Sequence, residues 1–265
     1  MNMLQALILG VIQGLTEFLP ISSSGHLILV PTMFGWEQDG LAFDTAVHLG
    51  TFFSVAAVFW KDAWRMVLGV VGKGDRKEGR LGWMIVAATV PIVIVGGLFG
   101  DVIDTVLRAP IVAAWSLIVW GVILGAADVL TRIRKPSVRA DHAVGWRHTI
   151  AIGAAQVLAL IPGTSRSGVT MSMGLLTGLD RRTAVRFSFL LSMPSVGAAA
   201  VYVLIKSLQS GVNLLTPEML VGFLAAALSG MVAIRLLLRV IERWSFMPFA
   251  LYRIALGVIL ILHVL

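Results

Sequence analysis

Long apolar runs separated by short polar or basic stretches dominate this chain. Six of these runs are long enough to cross a hydrocarbon core of about 30 Å. They lie at 41–60, 81–100 and 110–130 in the first half, and at 187–205, 219–238 and 248–264 in the second. No ten-residue alternation of apolar and polar positions, as in a membrane β-barrel, competes with them. The pattern predicts an all-α polytopic membrane protein.

Two further apolar segments, 1–38 and 149–179, are each interrupted by a polar break. In the first, an apolar run from Leu4 to Leu19 stops at Pro20-Ile21-Ser22-Ser23-Ser24-Gly25-His26, and a second short run ends at Phe34. In the second, the break is Pro162-Gly163-Thr164-Ser165-Arg166-Ser167-Gly168-Val169-Thr170. Irregular polar backbone is tolerated at membrane depth only where it lines a buried cavity. We therefore expect two re-entrant helical hairpins.

The two breaks occupy matching places in an internal repeat. Gly10-Val-Ile-Gln13 aligns with Gly153-Ala-Ala-Gln156, and at the same offset Ser22-Ser23-Ser24-Gly25 falls on Ser165-Arg166-Ser167-Gly168. The first repeat covers 1–140 and the second 141–265, each with one hairpin and three spans, in one integral membrane domain. Because three is an odd number, the second repeat must be inverted relative to the first. An inverted-topology repeat brings the two broken tips together near the midplane.

Composition and charge narrow the class of protein. The chain is 58% hydrophobic and 13% charged, has a net charge of +7 and contains no cysteine. Without cysteine, disulfides, thiolate metal sites and a cysteine nucleophile are excluded. Basic loops in a membrane protein are explained first by orientation, so we expect no nucleic-acid partner. The N-terminus lacks the basic region and cleavage pattern of a removable signal peptide.

The distribution of basic residues predicts the orientation. No lysine or arginine precedes Lys61, whereas four acidic residues do: Glu17, Glu37, Asp39 and Asp44. Lysines and arginines then crowd the stretch from Lys61 to Arg80 and the stretch from Arg132 to Arg147, which we expect to be two cytoplasmic loops. The N-terminus is then outside, and six spans place both termini outside.

The second break carries the residues expected of a phosphate site. Gly163 and Gly168 let the backbone turn N–H groups toward a ligand, and Arg166 offers a planar multi-donor fork. A helix starting after Gly168 would point its positive end inward. The hydroxyls of Thr164, Ser165, Ser167 and Thr170 add further donors. The alternative is a proline and glycine kink whose hydroxyls bond back to the helix, with Arg166 reaching the membrane surface.

Taken together, the two breaks supply the groups for phosphoryl transfer. In this hypothesis Ser23 attacks the terminal phosphorus, His26 manages protons, and Arg166 with the loop amides stabilises the developing charge. Glu17, with Gln13 four residues earlier on the same face, binds a divalent cation or orients the attacking group. A second version makes His26 the nucleophile and Ser23 a phosphate donor. Ser22, Ser24, Ser165, Ser167 and Thr170 are phosphate donors or plain helix caps.

Taken singly, several of these residues could have a structural role instead. Glu17 alone could be neutral and hydrogen-bonded to hydroxyls of its own break, although an ionisable residue in an apolar helix is functional by default. His26 alone could be a buried, satisfied histidine. Asp44 and His48 are interpreted as structural or entrance residues.

These motifs resemble those of a known family. Gln13-Gly-Leu-Thr-Glu17-Phe-Leu-Pro20, Ser22-Ser23-Ser24-Gly25-His26 and the loop from Pro162 to Thr170 are similar to the signatures of bacterial undecaprenyl-diphosphate phosphatases of the bacitracin-resistance type. The likeness covers nearly the whole chain. It implies hydrolysis of the terminal phosphate of undecaprenyl diphosphate, which recycles the lipid carrier for cell-wall synthesis and confers bacitracin resistance.

The resemblance also implies where and with what the chain works. The functional positions fall on Glu17, Ser23, His26 and Arg166, with Gln13 at the first Glu/Gln position, and a divalent cation such as Mg or Ca assists. The implied place is the bacterial inner membrane, with the site opening to the periplasmic side; a homodimer is left open. The rival hypothesis is a lipid-phosphate transporter or flippase, because inverted repeats with broken helices are also a transport architecture.

Overall fold

The fold is described by a computed structural model for residues 1–36, 41–107, 109–134, 143–211, 216–241 and 243–264. The described chain forms ten α-helices, which we number in chain order: α1 Met3–Phe18, α2 Ser23–Phe34, α3 Leu41–Val70, α4 Arg76–Val106, α5 Pro110–Arg134, α6 Trp146–Gln156, α7 Arg166–Leu176, α8 Arg181–Gln209, α9 Pro217–Val240 and α10 Met247–Val264. A short 3₁₀ turn, Val157–Leu160, follows α6. Glu37 and Asp39, and part of the second basic stretch, lie outside the described residues.

Helices and apolar faces confirm the prediction of an all-α polytopic membrane protein. In the described chain α3, α4, α5, α8 and α9 are long and apolar enough to cross a membrane. The helices α1 and α10 are apolar but shorter. Each long helix buries one face against its neighbours and leaves large hydrophobic side chains on the other, as expected of helices that meet lipid.

The predicted first basic loop is wrong in its extent. Lys61 and Arg65 continue α3 to Val70, and Arg76, Lys77 and Arg80 already belong to α4, so only five residues connect the two helices. Hydropathy marks where a helix leaves the apolar layer and not where the helix ends, and lysine and arginine are good helix formers. The backbone of α3 departs from helical geometry at Phe59, at the end of its apolar part.

Close helix packing surrounds the two broken segments. The helix α1 packs mainly on α9, and a Cβ added to Gly10 would lie 2.6 Å from the carbonyl oxygen of Gly222, which explains the glycine there. The helices α5 and α10 form a second close pair. A Cβ at Gly257 of α10 would lie 2.7 Å from the carbonyl oxygen of Ala114 of α5. Small residues at such contacts are typical of membrane helix pairs, and here the second pair brings α10 alongside both breaks.

Both breaks are shorter than predicted. The helix α2 begins at Ser23 and α7 begins at Arg166, not after Gly168, so the polar residues up to His26 and Thr170 form the first turns of helices. Ser22 and Ser165 are the reason. Each is an N-cap with positive φ, at φ 72°, ψ 100° and φ 70°, ψ 111°, and its hydroxyl accepts the N–H of the glycine three residues on. The matching caps agree with a sequence repeat, whereas the inverted orientation of the halves stays a prediction.

Candidate active site

The first residue of α2 and the first residue of α7 reach the same carboxylate. Ser23 donates its hydroxyl to Glu17 Oε2 at 2.8 Å, and Arg166 donates from Nη2 to Glu17 Oε1 at 3.1 Å. Glu17 and Arg166 are each only 10% exposed in their side chains. Side chains at two helix N-termini, where the first N–H groups lack intrahelical partners, thus converge on one carboxylate. This geometry suits an anion, with Ser23 beside it.

Direct hydrogen bonds also join the two breaks. Ser167 donates its hydroxyl to the carbonyl of Leu19 at 3.0 Å, and the N–H of Gly163 reaches the hydroxyl of Ser24 at 3.2 Å. Gly163 has φ +86°, and a Cβ there would lie 2.2 Å from the carbonyl oxygen of Ala113 in α5. The glycine therefore lets the second break press against α5. The two breaks, which are offset by 143 positions in the repeat alignment, thus line one small polar region.

Most of the remaining hydroxyls have local partners. Ser22 and Ser24 lie 3.2 Å apart, and Ser165 and Ser167 lie 3.1 Å apart, measured between hydroxyl oxygens. Thr170 donates to the carbonyl of Arg166 at 2.8 Å and lies 2.7 Å from the hydroxyl of Ser188. Ser22 and Ser165 thus act as caps here. The roles of these hydroxyls toward phosphate stay predictions.

His26 is held away from Ser23. Its Nδ1 lies 2.6 Å from the carbonyl oxygen of Ser22, and its Nε2 lies 2.7 Å from the Tyr252 hydroxyl. The proton acceptor beside Ser23 is Glu17, not the imidazole. The side chains of Ser23 and His26 therefore share no hydrogen bond, because His26 is one turn further along α2 and is turned toward α10, and the role of His26 in proton handling stays a prediction. Glu17 and Arg166, one from each half of the chain, form an ion pair.

Gln13 and Glu17 form the candidate cation site. The Gln13 amide donates to Glu17 Oε2 at 3.3 Å, while its buried Oε1 has no hydrogen-bond partner among the described residues. No cluster of three or more His, Asp or Glu side chains that could hold a metal ion occurs in the described chain. One carboxylate and one free amide oxygen fit a cation such as Mg²⁺ when substrate phosphates supply further oxygens, which is how Mg²⁺ is usually bound.

Comparison with known proteins now fixes the family. Residues 6–259 match the family described as "Bacitracin resistance protein BacA". The chain belongs to the BacA family. A relative named undecaprenyl-diphosphatase from Moorella thermoacetica is 44% identical over 98% of this chain and 97% of its own. "Undecaprenyl-diphosphatase 2" of Stutzerimonas stutzeri is 43% identical over 98% of both chains. The undecaprenyl-diphosphatase of Teredinibacter turnerae is 42% identical over the full length of both. The family resemblance inferred from the motifs is confirmed.

Arg253 is the site residue of this BacA family member that sequence reasoning missed. It is fully buried and donates to the carbonyls of Thr164 at 2.7 Å, Gly163 at 2.9 Å, Pro20 at 3.3 Å and Leu117 at 3.4 Å. No carboxylate within the described residues pairs with it. One guanidinium therefore ties both breaks to α10. The signal was present, because an arginine inside the apolar run 248–264 is an intramembrane charge, which by default marks a functional position.

Proposed function

We propose that this polar region hydrolyses undecaprenyl diphosphate to undecaprenyl phosphate and inorganic phosphate, recycling the lipid carrier for cell-wall synthesis and conferring bacitracin resistance. One observation carries the chemistry: a buried carboxylate that contacts a serine hydroxyl from one break and an arginine from the other. Full-length relatives above 40% identity bear the name of the same activity. The transporter or flippase alternative is not favoured.

Ser23 is the better nucleophile on this geometry. Its oxygen forms a bond to the terminal phosphorus while the bridging P–O bond breaks, releasing undecaprenyl phosphate, and its proton passes to Glu17 Oε2. Water then attacks the phosphoserine, the Oγ–P bond breaks, and Glu17 returns the proton to the serine oxygen. Both nitrogens of His26 have other hydrogen-bond partners, which supports a first step without this imidazole. Hydroxyl nucleophiles activated by an adjacent base follow this scheme.

Arg166 stabilises the charge that develops on the transferring phosphoryl group. Its Nη2 holds Glu17 and its Nη1 donates to the carbonyl of Ser188 at 3.2 Å, while its buried Nε has no partner in the described chain. Once Glu17 takes the serine proton, the ion pair loses its negative partner. The guanidinium is then free to bind phosphoryl oxygens when they carry most charge. Interactions that strengthen in the transition state are the ones that accelerate the reaction.

We also propose that Glu17 and Gln13 Oε1 hold a divalent cation, Mg or Ca, together with the diphosphate. When bound, the cation neutralises phosphate charge. A site that needs substrate oxygens binds the cation weakly when the substrate is absent. Cation affinity should therefore rise when a diphosphate analogue is added, which isothermal titration with Mg²⁺ alone and with the analogue measures.

The membrane placement extends the proposal. We place the protein in the bacterial inner membrane with both termini outside and the site opening to the periplasmic side, as the distribution of lysine and arginine indicates. Formation of a homodimer stays a prediction. Because the chain has no cysteine, single cysteines introduced at either end can be labelled from outside intact cells without background. Labelling only after permeabilisation would overturn the orientation.

The experiment for the activity is phosphate release from undecaprenyl diphosphate by purified protein in detergent micelles. Transport has no meaning in micelles, so release of phosphate separates the enzyme from a transporter. We expect the wild type to be active and Ser23→Ala to lose at least about 1,000-fold in kcat, because its nucleophile is gone. The exposed Ser210 at the end of α8 provides the matched control, Ser210→Ala. An inactive wild type would refute the proposal, and a fully active Ser23→Ala would refute its nucleophile.

A further inference from the structure

Tyr252 of α10 contacts His26, in the first turn of α2. Its hydroxyl lies 2.7 Å from His26 Nε2, and the two rings are stacked, with centroids 5.6 Å apart and planes inclined by 10°. The contact joins α2 to α10, and the two residues are 226 positions apart in the chain. None of the sequence motifs includes this tyrosine.

The hydrogen bonds on the two ring nitrogens fix the tautomer of His26. The carbonyl oxygen of Ser22 can only accept, so Nδ1 must carry the hydrogen that bridges the 2.6 Å gap. In the neutral ring Nε2 then holds the lone pair, and the Tyr252 hydroxyl must donate to it. A carbonyl on one nitrogen and a hydroxyl on the other leave the imidazole no freedom to flip.

Burial shows why the hydroxyl matters. His26 is 7% exposed, whereas Tyr252 is 44% exposed. Within the described residues the hydrogen-bond partner of Nε2 is the Tyr252 hydroxyl, so a proton reaches this nitrogen through the tyrosine oxygen. When His26 accepts a proton, the Tyr252 hydroxyl gives its own hydrogen to Nε2 and takes a proton from the attacking water on the same oxygen, and the reverse transfer restores the neutral imidazole. Tyrosine then carries no net charge before or after the transfer.

We propose that Tyr252 is a positioning residue that holds His26 with its proton on Nδ1 and its lone pair on Nε2, and that passes protons to and from this nitrogen through its hydroxyl. The inference rests on the proposed phosphatase function, in which the water that attacks phosphoserine must lose a proton. It gives His26 a task that does not require contact with Ser23. General acid–base assistance of this kind contributes about 100- to 10,000-fold in rate.

Tyr252→Phe tests the inference with little other change. The ring and its stacking on His26 remain, only the hydroxyl is lost, and the charged groups nearby, Arg253 and the Glu17–Arg166 pair, keep their partners. The matched control is Tyr202→Phe, because Tyr202 on α8 is the only other tyrosine in the chain. Its ring faces the Lys206 ammonium, and it has no contact with His26.

Two readouts separate a positioning role from a structural one. In steady-state phosphate release we expect Tyr252→Phe to lower kcat at least about 10-fold with KM changed less than about two-fold, since substrate binding does not use the hydroxyl. Without substrate, ¹⁵N spectra of histidine-labelled protein should show a proton on Nδ1 of His26 in the wild type and a shifted Nε2 resonance in Tyr252→Phe. His26→Gln assigns the signals. Tyr202→Phe should match the wild type in both.

The outcomes distinguish this inference from the proposed function. An active wild type whose kcat survives Tyr252→Phe overturns the inference and leaves the phosphatase proposal standing. An unchanged His26 spectrum in Tyr252→Phe overturns it as well, whatever the activity. A wild type that releases no phosphate refutes the proposed function, while a shifted spectrum would still support the positioning of His26 by Tyr252.

Discussion

Replacing Arg253 by methionine should loosen both breaks at once. Methionine keeps an unbranched apolar stem but is shorter than arginine and donates no hydrogen bond. The carbonyls of Thr164, Gly163 and Pro20 lie in the two breaks, and in the described chain Arg253 is their only donor. The carbonyl of Leu117 lies within α5 and keeps its helical partner, so it adds little.

The expected loss follows from these three carbonyls. A buried acceptor left without a partner costs about 1–3 kcal/mol. Three such acceptors give about 3–9 kcal/mol, and relief of the desolvation of a buried guanidinium offsets part of it. We therefore expect Arg253→Met to lower the free energy of unfolding by about 3–5 kcal/mol. Arg253→Lys should lose less, because a single ammonium can still donate to one or two of the carbonyls.

Reversible unfolding in mixed micelles, monitored by circular dichroism, measures this difference. Arg235→Met is the matched control, because Arg235 is exposed on α9 and should change the free energy of unfolding by less than about 0.5 kcal/mol. Phosphate release should fall in the order wild type, Arg253→Lys, Arg253→Met. An Arg253→Met protein within about 1 kcal/mol of the wild type would show that this arginine does not hold the breaks together.

Three further substitutions probe the site. Glu17→Gln removes the proton acceptor beside the nucleophile and should lower kcat about 100- to 10,000-fold, measured as phosphate release; wild-type kcat would exclude this carboxylate as the base. Gln13→Glu supplies a second carboxylate and should lower the Mg²⁺ concentration for half-maximal activity; an unchanged concentration would place the cation elsewhere. Gly163→Ala should destabilise the protein by more than about 1 kcal/mol, because its Cβ would strike the Ala113 carbonyl and its φ is positive, whereas Gly97→Ala, with open space around it, should not. Equal melting temperatures for the two alanine variants would refute that contact.

Local chemistry made much of the fold and site predictable. The lengths of the apolar runs predicted helices that are long enough to span a membrane, and prolines, glycines and hydroxyl side chains indicated both breaks. The partnership of Glu17 with Arg166 could be expected because each is an ionisable group that an apolar setting penalises unless it is paired. The repeat supplied the reason to bring them together.

What escaped prediction depends on contacts between distant elements. The direction of His26 is set by Tyr252 of α10 and not by its neighbours in the motif. The extension of α3 past Lys61 is accompanied by an ion pair between Asp62 and Arg186 of α8, which hydropathy cannot register. The positive φ of Ser22 and Ser165 is unusual for residues other than glycine, and costs of about 1–3 kcal/mol are borne only where the surroundings impose the conformation.

The central claim is that Glu17 of the first hairpin segment and Arg166 of the second act on a single substrate, and a double-mutant cycle tests it most directly. The measurement is kcat/KM for phosphate release by the wild type, Glu17→Gln, Arg166→Gln and the double variant. If the two side chains act as a unit, each single variant loses about 100-fold or more, and the double variant loses little beyond either one. Losses that multiply in the double variant, or a single variant with wild-type kcat/KM, would contradict a shared site.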